Sequence, residues 1–204
     1  SLKTAGFSRN DITDVFLTHL HFDHCGGAVR WNSSKTGYEL SFPNARYWSN
    51  EAHWNWAIHP NAREKASFLK ENLLPVQESG QLHFVSRDTG SFQKNTALGF
   101  DVLFVDGHTE KQMIPHINYK GKTLVFMADL LPTVGHLPLP YVMGYDIRPL
   151  ETLKEKALFL DKAATNNSLL FMQHDAKNTL ITVKHTDRGV RLNESLPFNS
   201  LNQL

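Results

Sequence analysis

Apolar residues follow two different periods along the chain, and the switches between them mark its elements. Asp14-Val-Phe-Leu-Thr18 is a short apolar run bounded by polar residues, which predicts a buried strand leading straight to His19. Residues 45–49 predict a second strand, followed by a helix starting at Asn50 or Glu51, and residues 1–7 read as the tail of a helix. Between these strands, Ser33, Ser34 and Gly37 predict a loop. From 61 to 78, Ala66, Leu69, Leu73 and Leu74 recur at helical spacing among charges, a cover helix that Pro75 must end or kink.

The second half is richer in strands, at 82–86, 99–105, 113–119 and 123–127, with the last two joined by a Lys120-Gly121-Lys122 turn. Leu150, Leu153, Ala157 and Leu160 share one face of a helix over 150–164. A buried strand over 169–172 and a hairpin of 179–184 with 189–192 close the chain. Strands and helices alternate, so the fold class is mixed α/β, and 204 residues without repeat or long linker predict one domain.

Composition narrows the function classes. Twenty-one basic against twenty acidic residues leave a net charge of +1, and no basic stripe interleaved with aromatics is present, so nucleic acid is not an expected partner. The apolar runs fall far short of the roughly 20 residues that span a bilayer, so no membrane partner is expected either. The single cysteine, Cys25, forms no intrachain disulfide and points to a reducing, cytoplasmic compartment. Eleven histidines are the unusual feature.

Four of the candidate groups stand within six residues: His19, His21, Asp23 and His24. Alternate side chains of an extended segment share a side, so His19 and His21 converge on one ion and Asp23 continues along that edge. One turn further, His24 faces a second ion. Imidazole and carboxylate suit zinc and its transition-metal neighbours, whereas packing alone rarely gathers such groups. Three polar residues that each follow a strand are candidates to complete the centre: His108, Asp129 and His174.

The order His19-x-His21-x-Asp23-His24, His108, Asp129, His174 resembles the metallo-β-lactamase superfamily over essentially the whole chain. The flanking Thr18-His-Leu-His-Phe-Asp-His-Cys-Gly-Gly27 and Asp106-Gly-His-Thr109 are most similar to its lactonase and organophosphate-hydrolase branch. The resemblance implies a four-layer αββα sandwich. It also implies that His19, His21 and His108 hold a first metal, Asp23, His24 and His174 a second, and Asp129 bridges them. It further implies two divalent ions, zinc first with iron, manganese or cobalt as alternatives, and a bridging hydroxide that attacks a lactone, ester, amide or phosphoester of a small molecule. Asp23 is then the candidate general acid. In the family, several strands precede the histidine motif, but only eighteen residues precede His19 here, so an N-terminally truncated chain is expected.

Other readings are ranked by the same residues. Diiron oxidoreductases of this family carry Glu where this chain has His21, which argues against redox chemistry; an iron-dependent dioxygenase and a phosphodiesterase or nuclease stay as alternatives. Cys25 is expected to pack beneath the site rather than bind metal. His136 is the remaining histidine most worth following, Tyr141 and Tyr145 fall in a Pro-rich stretch suited to a lid, and Trp31, Trp48, Trp54 and Trp56 are candidates to line an apolar pocket. A homo-oligomer is compatible with the sequence.

Overall fold

The computed structural model describes residues 2–87 and 90–203, which form two compact units, one ending at Ser86 and one starting at Arg87. The first unit opens with a 3-10 turn, Lys3–Ala5, where the sequence predicted the end of a helix over 1–7, and a second such turn, Arg9–Asp11, follows. Ser8 closes a capping box around the second turn, and Gly6 adopts a left-handed φ of 86°, so the local hydrogen bonds favour turns over a continued helix.

Strand β1 (Asp14–Phe16) runs into the histidine segment, and a single helical turn, α1 (Phe22–Cys25), follows it. The predicted loop is in fact a hairpin of β2 (Val29–Trp31) and β3 (Tyr38–Leu40). Its three-residue strands are too short to show a period, and the Ser- and Gly-rich tip alone is what the sequence displays. Strand β4 (Arg46–Ser49) leads to α2 (Glu51–Ile58), whose first turn is capped by Asn50 accepting from the His53 N–H at 2.9 Å.

The predicted long helix over 61–78 is cut to α3 (Lys70–Glu78). Its first third is a turn because the Asn61 side chain accepts the N–H groups of Arg63 and Glu64, at 2.9 and 3.1 Å, offering the backbone an alternative to helix. Pro75 lies inside α3 without ending it. After β5 (Leu82–Phe84), the unit's sheet is complete in the order β1-β4-β5, all parallel. Its core gathers Leu17, Leu20, Tyr47, Trp54, Leu73 and Val76.

The second unit is a seven-stranded sheet. Strands β6 (Phe92–Gln93), β7 (Asp101–Val105), β8 (Gln112–Tyr119) and β9 (Lys122–Phe126) pair as consecutive antiparallel neighbours. Lys120 and Gly121, with φ of 49° and 79°, make the two-residue turn between β8 and β9 that the right-handed twist of a hairpin favours. Helix α4 (Pro149–Thr165) then carries the chain to β10 (Leu169–Phe171), which pairs parallel to β9. A final hairpin of β11 (Leu180–Thr186) and β12 (Gly189–Leu196) completes the order β12-β11-β10-β9-β8-β7-β6. The amphipathic face of α4 brings Phe159, Leu160 and Ala163 onto Val105, Ile114, Val125, Leu170 and Ile181. The mixed α/β class is as expected from the alternating periods.

Helix α4 also fixes the segment after β7. Gly107 lies so close to it that an added Cβ would sit 2.5 Å from the Thr152 nitrogen and 2.6 Å from its Cα. The Glu155 carboxylate accepts the N–H groups of Asp106 and Gly107, at 2.6 and 3.0 Å. Burial raises the Glu155 carboxyl to about 7, above its ordinary 4.5.

Gly107→Ala is therefore expected to cost about 1–3 kcal/mol through overpacking against helix backbone, read as a lower midpoint in denaturant unfolding. Because its folded pKa is raised, Glu155 contributes stability that is fully present below about 4.5 and is lost as pH rises through about 7. Glu155→Gln should remove that dependence, so the stability of the variant relative to wild type improves with pH across this interval in urea titrations.

Candidate metal centre

In the first unit, β1 ends with the Leu17 N–H donating to the Trp48 carbonyl, and the chain beyond it alternates. Leu20 is fully buried in the core, so the side chains on either side of it, His19 and His21, turn the other way. Their ring centroids are 4.8 Å apart. The turn of α1, with the Cys25 N–H donating to the His21 carbonyl, then folds His24 back to a ring distance of 3.9 Å from His19. The His24 Nε2 lies 3.3 Å from an Asp23 carboxylate oxygen, and Asp23, unlike the three histidines, presents its side chain to solvent. All four motif residues of this unit are thus brought together.

The second unit gathers the other three. Each follows a strand: His108 after β7, Asp129 after β9, His174 after β10. One Asp129 oxygen is 3.2 Å from His108 Nε2 and the other is 3.1 Å from His174 Nε2, so a single buried carboxylate addresses two imidazoles. Ala128 precedes it with a φ of 40°, a left-handed conformation that a residue with a Cβ rarely adopts and that costs about 1–3 kcal/mol. That strain turns the chain sharply out of β9 where Asp129 must project.

Several groups hold these imidazoles from behind. Asp146 Oδ1 accepts from His108 Nδ1 at 3.0 Å, which leaves Nε2 to face Asp129. The Thr18 hydroxyl lies 3.2 Å from His19 Nδ1. His21 Nε2 is 3.3 Å from Glu64, and the buried His53 accepts the Leu20 N–H at 2.8 Å, pinning the backbone between the two leading histidines. Asp146, Glu64 and His53 stand 38, 43 and 33 residues from the groups they touch, so no local spacing could reveal them.

Other candidates resolve differently. Cys25 is 1% exposed, its thiol donates to the Leu20 carbonyl, and burial pushes it up to about 12; it packs beneath the motif as expected. His136 sits in the 3-10 turn Val134–His136 with Nδ1 2.8 Å from the Thr133 hydroxyl, its pKa lowered by burial and by Lys156. Lys156, itself buried, donates to the carbonyls of His136, Pro138 and Tyr141, which ties that loop down, while the Tyr141 and Tyr145 side chains are 60% and 79% exposed. The four tryptophans serve separate ends: Trp48 and Trp54 are buried, Trp31 stacks on Tyr38 at the exposed hairpin, and Trp56 donates to Glu64. The cavity of about 880 Å³ in the second unit is lined by Phe92, Asp101, His116, Glu155 and Lys162 and by none of the seven motif residues, so size does not locate the chemistry.

The profile of the metallo-β-lactamase superfamily matches residues 1–174, a span that contains all seven motif residues. The chain belongs to that superfamily. The enzyme class that goes with it is a metal-dependent hydrolase. Solved structures agree on the fold. A probable metal-dependent hydrolase from Staphylococcus aureus is 24% identical with a TM-score of 0.74, over 96% of this chain and 68% of its own. AidC, a dizinc quorum-quenching lactonase, is 24% identical with a TM-score of 0.78, over 97% of this chain and 69% of its own. The hydrolase AbOPH is 20% identical with a TM-score of 0.74, over 97% and 68%. The chain thus spans about two thirds of the length of each. No curated protein sequence matches it. Among the described residues no helix is long and apolar enough to cross a membrane.

With its thiol buried and held neutral, Cys25 should resist alkylation in the folded protein even at mildly alkaline pH and react on unfolding, as mass spectrometry after iodoacetamide would show. Prompt labelling of the native protein would contradict this packing.

Proposed function

We propose that this protein hydrolyses a small-molecule lactone with two divalent metal ions, most readily zinc. The observation that carries this reading is Asp129, whose two oxygens face two different imidazoles. A buried carboxylate is costly unless compensated, and one that divides its oxygens between two ligand-type nitrogens suits a bridge between cations. The donors fit the metal: imidazole and carboxylate only, with the one thiol turned away to the Leu20 carbonyl. His19, His21 and His108 would hold one ion and Asp23, His24 and His174 the other, with Asp129 shared. The family profile runs through all seven.

When bound, such a pair supplies Lewis acidity and a water acidified to a nucleophile near neutral pH. The residues do the remainder. Asp146, by accepting from Nδ1, would keep His108 in the tautomer whose lone pair is on Nε2, the nitrogen that faces Asp129. Asp23, solvent-facing beside the buried His24, would exchange a proton with a departing alkoxide. The lactone class is supported by the likeness to AidC and to N-acyl homoserine lactone hydrolases. The likeness to AbOPH favours a phosphotriester as the second substrate class, and simple esters and amides are the remaining bonds of the same reaction type.

Elemental analysis should find about two metal ions per chain, and chelation should abolish turnover of N-acyl homoserine lactones, with zinc restoring it. Fewer than one metal per chain, or turnover indifferent to chelator, would sink the reading. Asp129→Ala is expected to weaken metal binding and activity by at least about 10–100-fold, measured by chelator competition and initial rates.

A further inference from the structure

We infer that Glu64 is a positioning residue that fixes which nitrogen of His21 is offered to a metal. This rests on His21 being a ligand, as proposed above. Glu64 lies in the turn that replaces the first third of the predicted helix, and it is buried. Its carboxylate is anchored by its own segment: Oε2 accepts from Trp56 Nε1 at 2.7 Å and from Asn61 Nδ2 at 2.5 Å, while Asn61 Oδ1 accepts the Glu64 N–H at 3.1 Å. The other oxygen, Oε1, is 3.3 Å from His21 Nε2.

An ionised carboxylate only accepts hydrogen bonds, so the proton on His21 is drawn to Nε2 and the lone pair is left on Nδ1. His108 is set the opposite way, with Nδ1 bonded to Asp146 and Nε2 3.2 Å from Asp129. The two imidazoles are therefore oriented by two buried carboxylates that select opposite nitrogens, and neither carboxylate belongs to the seven-residue motif.

The isosteric variant Glu64→Gln is the discriminating test. Trp56 and Asn61 both donate and together hold the amide oxygen in the place of Oε2, which turns the amide NH₂ toward His21 and demands that Nε2 accept. The tautomer should therefore switch. Long-range ¹H–¹⁵N spectra of the metal-free protein at mildly alkaline pH should show His21 protonated at Nε2 in wild type and at Nδ1 in Glu64→Gln. Zinc affinity by chelator competition should fall about 10–100-fold in Glu64→Gln. It should fall less in Glu64→Ala, where no group enforces the wrong tautomer.

A purely structural role predicts the reverse order, with the isostere milder than the truncation, and that result would overturn the inference. So would a wild-type His21 protonated at Nδ1, a measurement that needs no variant to fold. If wild type binds no zinc yet the tautomer switches as described, the metal reading fails while the positioning by Glu64 stands.

Discussion

A buried imidazole has two nitrogens, and it can serve as a ligand only through the one that is not already committed elsewhere. This constraint governs most of what surrounds the motif. Asp146 takes one nitrogen of His108, Glu64 stands against one nitrogen of His21, and Thr18 lies beside one of His19. Each partner comes from a different piece of backbone: the segment before α4, where the Ile147 and Arg148 N–H groups donate to the His108 and Gly107 carbonyls, a turn shaped by Asn61, and the last residues after β1. Free imidazoles rotating in a cavity would pay the entropy of ordering at every binding event, whereas these are ordered by folding.

Each unit places motif residues in the segments that follow its strands, where one residue can turn inward to the core and its neighbour outward. Leu20 between His19 and His21 is the clearest case, since its complete burial is what turns both imidazoles to one side. In the second unit the same logic needs extra force. Ala128 accepts an unfavourable φ so that Asp129 leaves β9 sharply, and Gly107 gives up its side chain so that α4 can press on the segment before His108. Local cost at these two residues is offset by the apolar core beneath the sheet.

Much of this was legible in the chain. The apolar runs locate β1, β4, β7 to β9 and β10, the periodicity of α4 is clear, and the seven motif residues stand out by type and spacing, four in and just before the turn of α1 and three in the segments after β7, β9 and β10. The residues that failed to show themselves are those whose role depends on a distant partner. Glu64 reads as one more charge on a helix face until Asn61 is seen to break that helix, and Asp146 reads as a loop residue until His108 is found beside it. Hairpin β2–β3 was hidden for a different reason, because three residues per strand are fewer than any period can reveal.

The proposed centre is made of imidazole and carboxylate alone, with two ions sharing Asp129. X-ray absorption at the zinc edge of the zinc-loaded protein tests it most directly. Only nitrogen and oxygen scatterers at about 2.0–2.2 Å with imidazole outer-shell features are expected, with a second metal at roughly 3.5–4 Å. A sulfur scatterer at about 2.3 Å, which would bring Cys25 into the coordination sphere, or zinc with no second metal within reach of a shared carboxylate, would contradict it.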